Sequence, residues 1–149
     1  MQTFLPYSDF SQSAQVLDRQ RLGKQRVETL QILNALQNRK AGIQKGWVNH
    51  PAVIMWERAE LSLCEYGLAI CDEWIGRGYK DTCRGKIEKK AIEIGGQDWK
   101  SKIVPPTWLG NEFFHLSHRS KLYQKKPEYY SCWYDVPTID YVWVQNERD

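Results

Sequence analysis

The stretch Leu17-Asp-Arg-Gln-Arg-Leu-Gly-Lys-Gln-Arg-Val-Glu-Thr-Leu-Gln-Ile-Leu33 decides the fold, because its apolar residues have the spacing of an amphipathic helix. The stripe predicted to face a core consists of Val27, Leu30, Leu33 and Leu36. Another face carries Arg21, Lys24 and Glu28, which are separated by three and then four residues. A carboxylate among cations is typical of surface ion pairing, and equally of an acid in a phosphate-binding groove.

The basic residues cluster along the chain. Arg19 and Arg26 flank the face just described, and further cations lie at residues 84–90 and 119–126, where Arg119 and Lys121 have no acid between them. The formal net charge is only +3, so the distribution of charge matters more than its sum. One such cluster is ordinarily solvated surface. Three clusters in a small chain favour a nucleic-acid partner about as strongly as they favour solvated surface.

Composition predicts a single domain over residues 1–149, since this length buries a sizeable core and 42% of the residues are hydrophobic. The four cysteines form no Cys-x-x-Cys pair, which argues against zinc, and Cys64 and Cys71 are predicted to pack in the core. The sequence shows neither a signal peptide nor a membrane-spanning run. We therefore expect an intracellular protein with no membrane partner.

The predicted fold class is mostly all-α, with three main helices, long loops and an aromatic-rich carboxyl-terminal tail. The first helix runs from about Ser11 or Asp18 to Asn38, and Gly23 is a candidate break. The second, central and buried, starts at Asn49-His50-Pro51 and stops at Arg77-Gly78. The third runs from Asn111 to about Gln124. Between the second and third helices, residues 86–94 are predicted to form one or two helical turns.

Few residues suggest other chemistries. His115 and His118 are three apart on the third helix, a spacing compatible with a metal, but no third ligand is evident, so we expect no metal site. His50 is expected to cap or pack at the start of the second helix. The aromatic pairs Tyr129-Tyr130 and Trp133-Tyr134 are typical of a core, although aromatics beside cations also suit unstacked bases.

The order of the segments resembles the pyrimidine dimer DNA glycosylases of the bacteriophage endonuclease V type. The resemblance covers roughly residues 1–134 and rests on order and spacing rather than on one specific motif. Its five parts are a short amino-terminal arm followed by Leu17-Asp-Arg-Gln, the Gly46-Trp-Val-Asn-His-Pro51 segment, the Ala69–Tyr79 helix end, a basic helix after Val104-Pro105, and the Pro127-Glu-Tyr-Tyr and Trp133-Tyr134 tail.

This resemblance implies a helical enzyme that flips a base out of double-stranded DNA, cuts its N-glycosidic bond through an imine, and then nicks the strand. It implies the α-amine of Met1 as nucleophile, retained because Gln2 is bulky, and Glu28 as the assisting acid. No cofactor or metal is needed, and we expect a monomer. The residues implied as DNA contacts are Arg19, Arg21, Lys24, Arg26, Arg119 and Lys121.

Two other interpretations stay open at the level of sequence. A non-catalytic DNA-binding protein on the same scaffold would keep the arginines but have no need of Glu28 or a free amino terminus. Alternatively, Glu28 is merely paired with Lys24 and Arg21 on a wet surface, where such pairs stabilise by only about 0–1 kcal/mol. The position of Glu28 relative to the amino terminus discriminates between these possibilities.

Overall fold

The computed structural model describes residues 1–148 of the chain and confirms the mostly all-α fold. Six α-helices follow one another in this part of the chain: α1 (Phe10–Val16), α2 (Arg19–Lys40), α3 (Pro51–Ile54), α4 (Glu60–Gly76), α5 (Arg84–Gly95) and α6 (Glu112–Lys125). Two short 3-10 helices cover Trp99–Lys102 and Ser131–Trp133. None of the helices within residues 1–148 is both long and apolar enough to cross a membrane.

Helix α4 lies at the centre, as predicted, and packs against α1, α2 and α5. Cys64 and Cys71 are buried on it, which confirms their predicted place in the core. Its contact with α2 is close: a Cβ added to Gly67 would lie only 2.5 Å from the Thr29 side chain. Glycine at this position therefore lets the two long helices approach each other.

Helix α2 differs from the prediction in two respects. Gly23 does not break it; a Cβ at this position would lie 3.0 Å from the Trp74 ring, so the glycine makes room for a side chain from α4. Val27 does not belong to the buried stripe, since 45% of it is exposed, whereas Leu33 and Leu36 are buried. The buried face of α2 instead begins earlier, with Leu22, Gln25 and Thr29.

The second predicted helix is in fact two helices. Helix α3 ends at Ile54 and α4 begins at Glu60, and between them Arg58 adopts a left-handed conformation with φ of 63°. Its guanidinium donates hydrogen bonds to the carbonyl oxygens of Asn146 and Arg148 in the carboxyl-terminal tail. This interruption thus depends on a contact between residues about ninety positions apart, which local sequence does not reveal.

The remaining helices lie close to their predicted positions. Asn111 caps α6 through its side chain, as expected, and His50 caps α3 by accepting a hydrogen bond from the Ala52 amide. Helix α5 is longer than the one or two turns predicted at residues 86–94. Residues 139–144 form no strand, but hydrogen bonds to α6 fasten this part of the tail to the body.

Candidate active site

The amino-terminal arm, residues 1–6, is buried except for a half-exposed Met1. Buried polar side chains hold its backbone at successive positions. The Phe4 amide donates to Gln25 Oε1 (3.0 Å), and the Leu5 amide donates to Nδ1 of His118 (2.9 Å). Trp56 also donates from its indole nitrogen to the Thr3 hydroxyl (3.0 Å). The position of the chain's α-amine is consequently fixed by the core of the protein.

Gln25 connects this arm to Glu28. Its Nε2 donates to the carbonyl oxygen of Gln2 (2.9 Å) and to Oε2 of Glu28 (2.8 Å). Its Oε1 accepts from the Phe4 amide and from the Tyr66 hydroxyl, which lies 2.7 Å away. Both donors and both acceptor positions of this buried amide are therefore used, so its orientation is fully determined.

The arm and α2 border a cleft of about 360 Å³. Met1 and Glu28 both line it, together with Arg21 and Lys24 from the same face of α2. The other lining residues come from the arm, α2, the start of α3, the end of α6 and the tail: Gln2, Phe4, Gln20, Gln25, His50, Lys125, Tyr141 and Trp143. The helical spacing of Arg21, Lys24 and Glu28 thus brings them to one surface, together with the amino terminus.

Glu28 is not held by the cations beside it. No ion pair within residues 1–148 involves Glu28; Arg21 pairs instead with Asp18 (3.2 Å), and Lys24 is exposed. The hydrogen bond from Gln25 orients the carboxylate, and the half-exposed Glu28 faces the cleft. This geometry does not match the simple surface ion pair that the sequence left open.

His50 and Tyr141 add two titratable groups to the cleft. Burial, and then the positive charge of the nearby amino terminus, lower the pKa of His50. Because its Nδ1 accepts the Ala52 amide proton, the neutral ring carries its own proton on Nε2. Burial raises the pKa of Tyr141 to about 12, while Arg21 lowers it and Glu28 raises it by smaller amounts. Both side chains are therefore neutral hydrogen-bond donors at pH 7.

Four of the predicted DNA contacts lie outside the cleft lining. Arg26 pairs with Asp81 (2.6 Å) and covers the Trp74 ring, and Arg19 is exposed beside Tyr79.

The other two, on α6, bind the amino-terminal arm and the carboxyl-terminal tail. Arg119 donates to the carbonyl oxygen of Pro6 (2.7 Å), and Lys121 pairs with Asp140 in the tail (2.6 Å). The half-exposed Arg119 and Lys121 thus have structural partners, whereas Arg19 is free to meet a ligand.

His115 and His118 also serve the arm. His118 accepts the Leu5 amide proton, and Nδ1 of His115 lies 2.8 Å from the Leu5 carbonyl oxygen. Burial lowers the pKa of His118 to about 3, so the ring is neutral at physiological pH. Spaced three residues apart on α6, the two histidines therefore bind the amide and the carbonyl group of Leu5.

Sequence reasoning missed several lining residues, although some signals were present. Gln25 stands three residues before Glu28 and so shares its face of α2. Tyr141 and Trp143 alternate in the tail, which places both on one side of an extended segment. His50 was recognised only as a cap, and Lys125 only as part of a basic cluster.

One comparison with known proteins identifies a family. The family model described as pyrimidine dimer DNA glycosylase matches residues 1–86, which is more than half of the chain and includes the arm, α2 and α4. The comparisons with curated proteins and with solved structures give no match.

Proposed function

The chain belongs to the pyrimidine dimer DNA glycosylase family, and we propose that it removes a damaged pyrimidine and then cleaves the abasic strand, using the Met1 α-amine as nucleophile. The observation that carries this proposal is the buried hydrogen-bond system through which Gln25 links the amino-terminal arm to Glu28 at one cleft. A protein that only bound DNA would have no use for a fixed amino terminus beside an oriented carboxylate.

The proposed reaction begins when the neutral α-amine attacks C1′ of the damaged nucleotide. An α-amine ordinarily has a pKa of about 8, so a useful fraction is neutral at pH 7. A bond forms between the Met1 nitrogen and C1′. The C1′–N1 bond breaks, and its electron pair leaves with the base. Glu28 takes the proton released by the amine and stabilises positive charge on the sugar.

Strand cleavage follows from the same adduct. The C1′–O4′ bond opens, O4′ takes up a proton, and the nitrogen lone pair forms the imine. Loss of a C2′ proton then expels the 3′-phosphate, and water finally hydrolyses the imine to restore the amine. Glu28 is the group in the cleft suited to carry protons between these steps, because Tyr141 keeps its proton at neutral pH.

The cations at the cleft support contacts with the DNA backbone. Arg21, Lys24 and Lys125 line the cleft, where they are suited to neutralise the phosphates on either side of the target. Arg19 continues this surface along α2 and remains a predicted phosphate contact. The other three cations have protein partners, and we assign them positioning roles. Arg26 positions α2, Arg119 positions the arm, and Lys121 positions the tail.

Gln25 is a positioning residue in this scheme. Its hydrogen bonds keep the Glu28 carboxylate and the carbonyl of Gln2 in fixed relation, although it need not contact the substrate. Catalytic groups held within a fraction of an ångström by buried partners avoid the entropy cost of finding one another.

Borohydride reduction tests the proposal directly, because it converts an imine to a stable covalent adduct. Duplexes with a thymine dimer, an abasic site or no damage are incubated with the protein and the reductant. An adduct with the dimer and with the abasic duplex, absent after acetylation of the amino terminus, is the expected result. Binding without any adduct would contradict the proposal and favour a non-catalytic DNA-binding protein.

A further inference from the structure

The hydroxyl of Tyr66 is a buried polar group to which the proposed reaction gives no role. Tyr66 lies on the central helix α4, and its side chain is completely buried. Its ring packs edge to face against Phe10 at a centroid distance of 5.5 Å, and against Trp56 at 6.1 Å. Burial raises the pKa of this phenol well above its usual value, so the hydroxyl keeps its proton and remains a donor.

The single proton of this hydroxyl serves two acceptors. The Tyr66 oxygen lies 2.8 Å from the carbonyl oxygen of Phe4 and 2.7 Å from Oε1 of Gln25. Both of these oxygens can only accept, so the two hydrogen bonds share one phenol proton. The hydroxyl thereby joins three parts of the molecule, namely α4, the amino-terminal arm and α2.

The proton of Tyr66 also influences which end of the Gln25 amide faces Glu28. A reversed amide would direct its oxygen at the Glu28 carboxylate, where two acceptors repel each other, and its nitrogen at the Tyr66 hydroxyl. The phenol proton therefore favours the orientation in which Nε2 of Gln25 donates to Glu28 at 2.8 Å. A donor held in this orientation fixes the carboxylate at the edge of the cleft.

We propose that Tyr66 is a positioning residue for the reaction at the cleft, and that it acts on Glu28 through Gln25. This inference rests on the proposed function and adds a residue that touches neither the DNA nor the reacting atoms. Because its hydroxyl also binds the arm, the Gln25 amide and the arm take their positions from the same group. Reacting groups that are placed together in advance avoid the entropic cost of finding each other.

Tyr66→Phe removes the hydroxyl but keeps the ring, and single-turnover cleavage of abasic DNA measures the effect. The rate at saturating DNA is expected to fall about tenfold, because the Glu28 carboxylate is then less well oriented. DNA affinity should change by less than about twofold, since Tyr66 lies in the core and phosphate contacts dominate binding. The assay temperature is one at which urea unfolding shows the variant to be fully folded.

Tyr130→Phe is the matched control, because it also removes a buried hydroxyl that makes two hydrogen bonds. The Tyr130 hydroxyl accepts from the Asp18 amide (2.9 Å) and donates to the Asp18 carboxylate (2.6 Å), so neither bond involves Gln25 or Glu28. This variant should also lose stability, yet its rate at saturating DNA should stay within about twofold of the wild-type rate. A loss of rate equal to that of Tyr66→Phe would overturn the proposal.

A double-mutant cycle tests whether Tyr66 acts through Gln25. Gln25→Met removes the connecting amide, so adding Tyr66→Phe to it should slow cleavage by less than about twofold more. If the two losses of rate multiply instead, Tyr66 does not act through Gln25 and the proposal is refuted.

Hydrogen exchange of the Gln25 side-chain amide, followed by NMR, tests the proposal without DNA. Its Nε2 protons are hydrogen-bonded in a buried side chain, so they should exchange slowly in the wild type. Exchange should be about tenfold faster in Tyr66→Phe and unchanged in Tyr130→Phe. Unchanged exchange in Tyr66→Phe would overturn the proposal, whatever the cleavage rates. Failure of the proposed function is recognised separately, because the wild type would then give no borohydride adduct with an abasic duplex.

Discussion

The amino-terminal arm and the carboxyl-terminal tail both border the same cleft but are held in different ways. The amino-terminal arm is buried, and its backbone is bound by interior side chains such as Gln25 and His118. Most of the carboxyl-terminal tail, residues 139–148, is at least partly exposed. Surface groups such as Lys121 and Arg58 fasten it, in addition to the buried hydroxyls of Ser117 and Ser120. The arm presents the proposed nucleophile, and the tail presents aromatic rings.

This difference indicates that the arm and the tail have different roles. Covalent chemistry demands that reacting groups keep a fixed geometry, which a buried hydrogen-bond system supplies. Binding of DNA alone tolerates more movement, because charge and stacking contacts depend less on precise placement. Changes near the arm should therefore affect chemistry most, and changes near the tail should affect binding most.

The largest effect is expected for Glu28→Gln, which removes the carboxylate but keeps the shape of the side chain. Cleavage of dimer-containing DNA should fall by about 100-fold or more, the usual contribution of a positioned acid or base. Affinity for the same duplex should change by less than about threefold, since phosphate contacts dominate binding. Single-turnover cleavage and equilibrium binding measure the two quantities. A cleavage rate equal to that of the wild type would contradict the assignment.

Gln25→Met is expected to damage both stability and chemistry. It leaves the Gln2 carbonyl and the Phe4 amide without partners, whereas the Tyr66 hydroxyl can still donate to the Phe4 carbonyl oxygen, and it should lower the free energy of unfolding by about 3 kcal/mol. Below its unfolding temperature, the folded variant should show a reduced single-turnover rate at saturating DNA. A rate unchanged at saturation would reduce Gln25 to a purely structural residue.

Ser62→Ala is the control for that experiment. Ser62 is also buried, but its hydroxyl has no hydrogen-bond partner in residues 1–148. Its removal should leave the free energy of unfolding unchanged or slightly raised, with normal cleavage. A loss comparable to that of Gln25→Met would show that any buried polar substitution disturbs the fold.

Lowering the pH should weaken the contact between α6 and the arm and so lower the free energy of unfolding. The folded pKa of His118 is lowered to about 3, far below the unfolded value of 6.5, so between these pH values only the unfolded chain binds this proton. The contribution of His118 to the free energy of unfolding is therefore fully present above pH 6.5. It falls as the pH drops, by roughly 1 kcal/mol per pH unit. Urea unfolding between pH 7 and 5 measures this slope. His118→Asn should reduce the slope without abolishing it, because the pKa values of His115 and His50 are also lowered in the folded protein. An unchanged slope in that variant would exclude His118 as a source.

The smallest effect is expected in the tail. The buried Asn146 side chain accepts from the Thr107 amide (3.1 Å) and donates to the Glu57 carbonyl oxygen (3.0 Å). Asn146→Ala should cost about 1–2 kcal/mol of stability and weaken DNA binding by a few fold. Its borohydride adduct with abasic DNA should form at the wild-type rate. A strong loss of adduct with intact binding would mean that the tail also positions the chemistry.

The sequence predicted those parts of the site that depend on local periodicity. Arg21, Lys24 and Glu28 share a helical face by spacing alone, and the structure places them in one cleft. The caps at Asn111 and His50 were likewise predicted, because a cap involves neighbours in the chain. The proposed role of Met1 comes from the resemblance to the family, because spacing does not indicate it.

Contacts between distant residues account for what the sequence did not reveal. The break before α4 reflects the bonds of Arg58 to the tail, and Gly23 stays helical because Trp74 fills the space beside it. The ion pair of Arg26 joins it to Asp81, which is 55 residues away, while its predicted contact with phosphate stays a prediction. Gln25 is uncharged, so the pattern of charges does not single it out, although four hydrogen bonds converge on its side chain.

The central claim is that the Met1 α-amine forms the covalent bond to DNA, and peptide mapping of the borohydride-trapped adduct tests it most directly. Lys24 and Lys125 line the same cleft and are the competing amines. Proteolysis followed by mass spectrometry identifies the residue that carries the deoxyribose remnant. We predict the remnant on the amino-terminal peptide, at Met1. A remnant on Lys24 or Lys125 would contradict the account, because the buried anchoring of the arm would then serve no catalytic purpose.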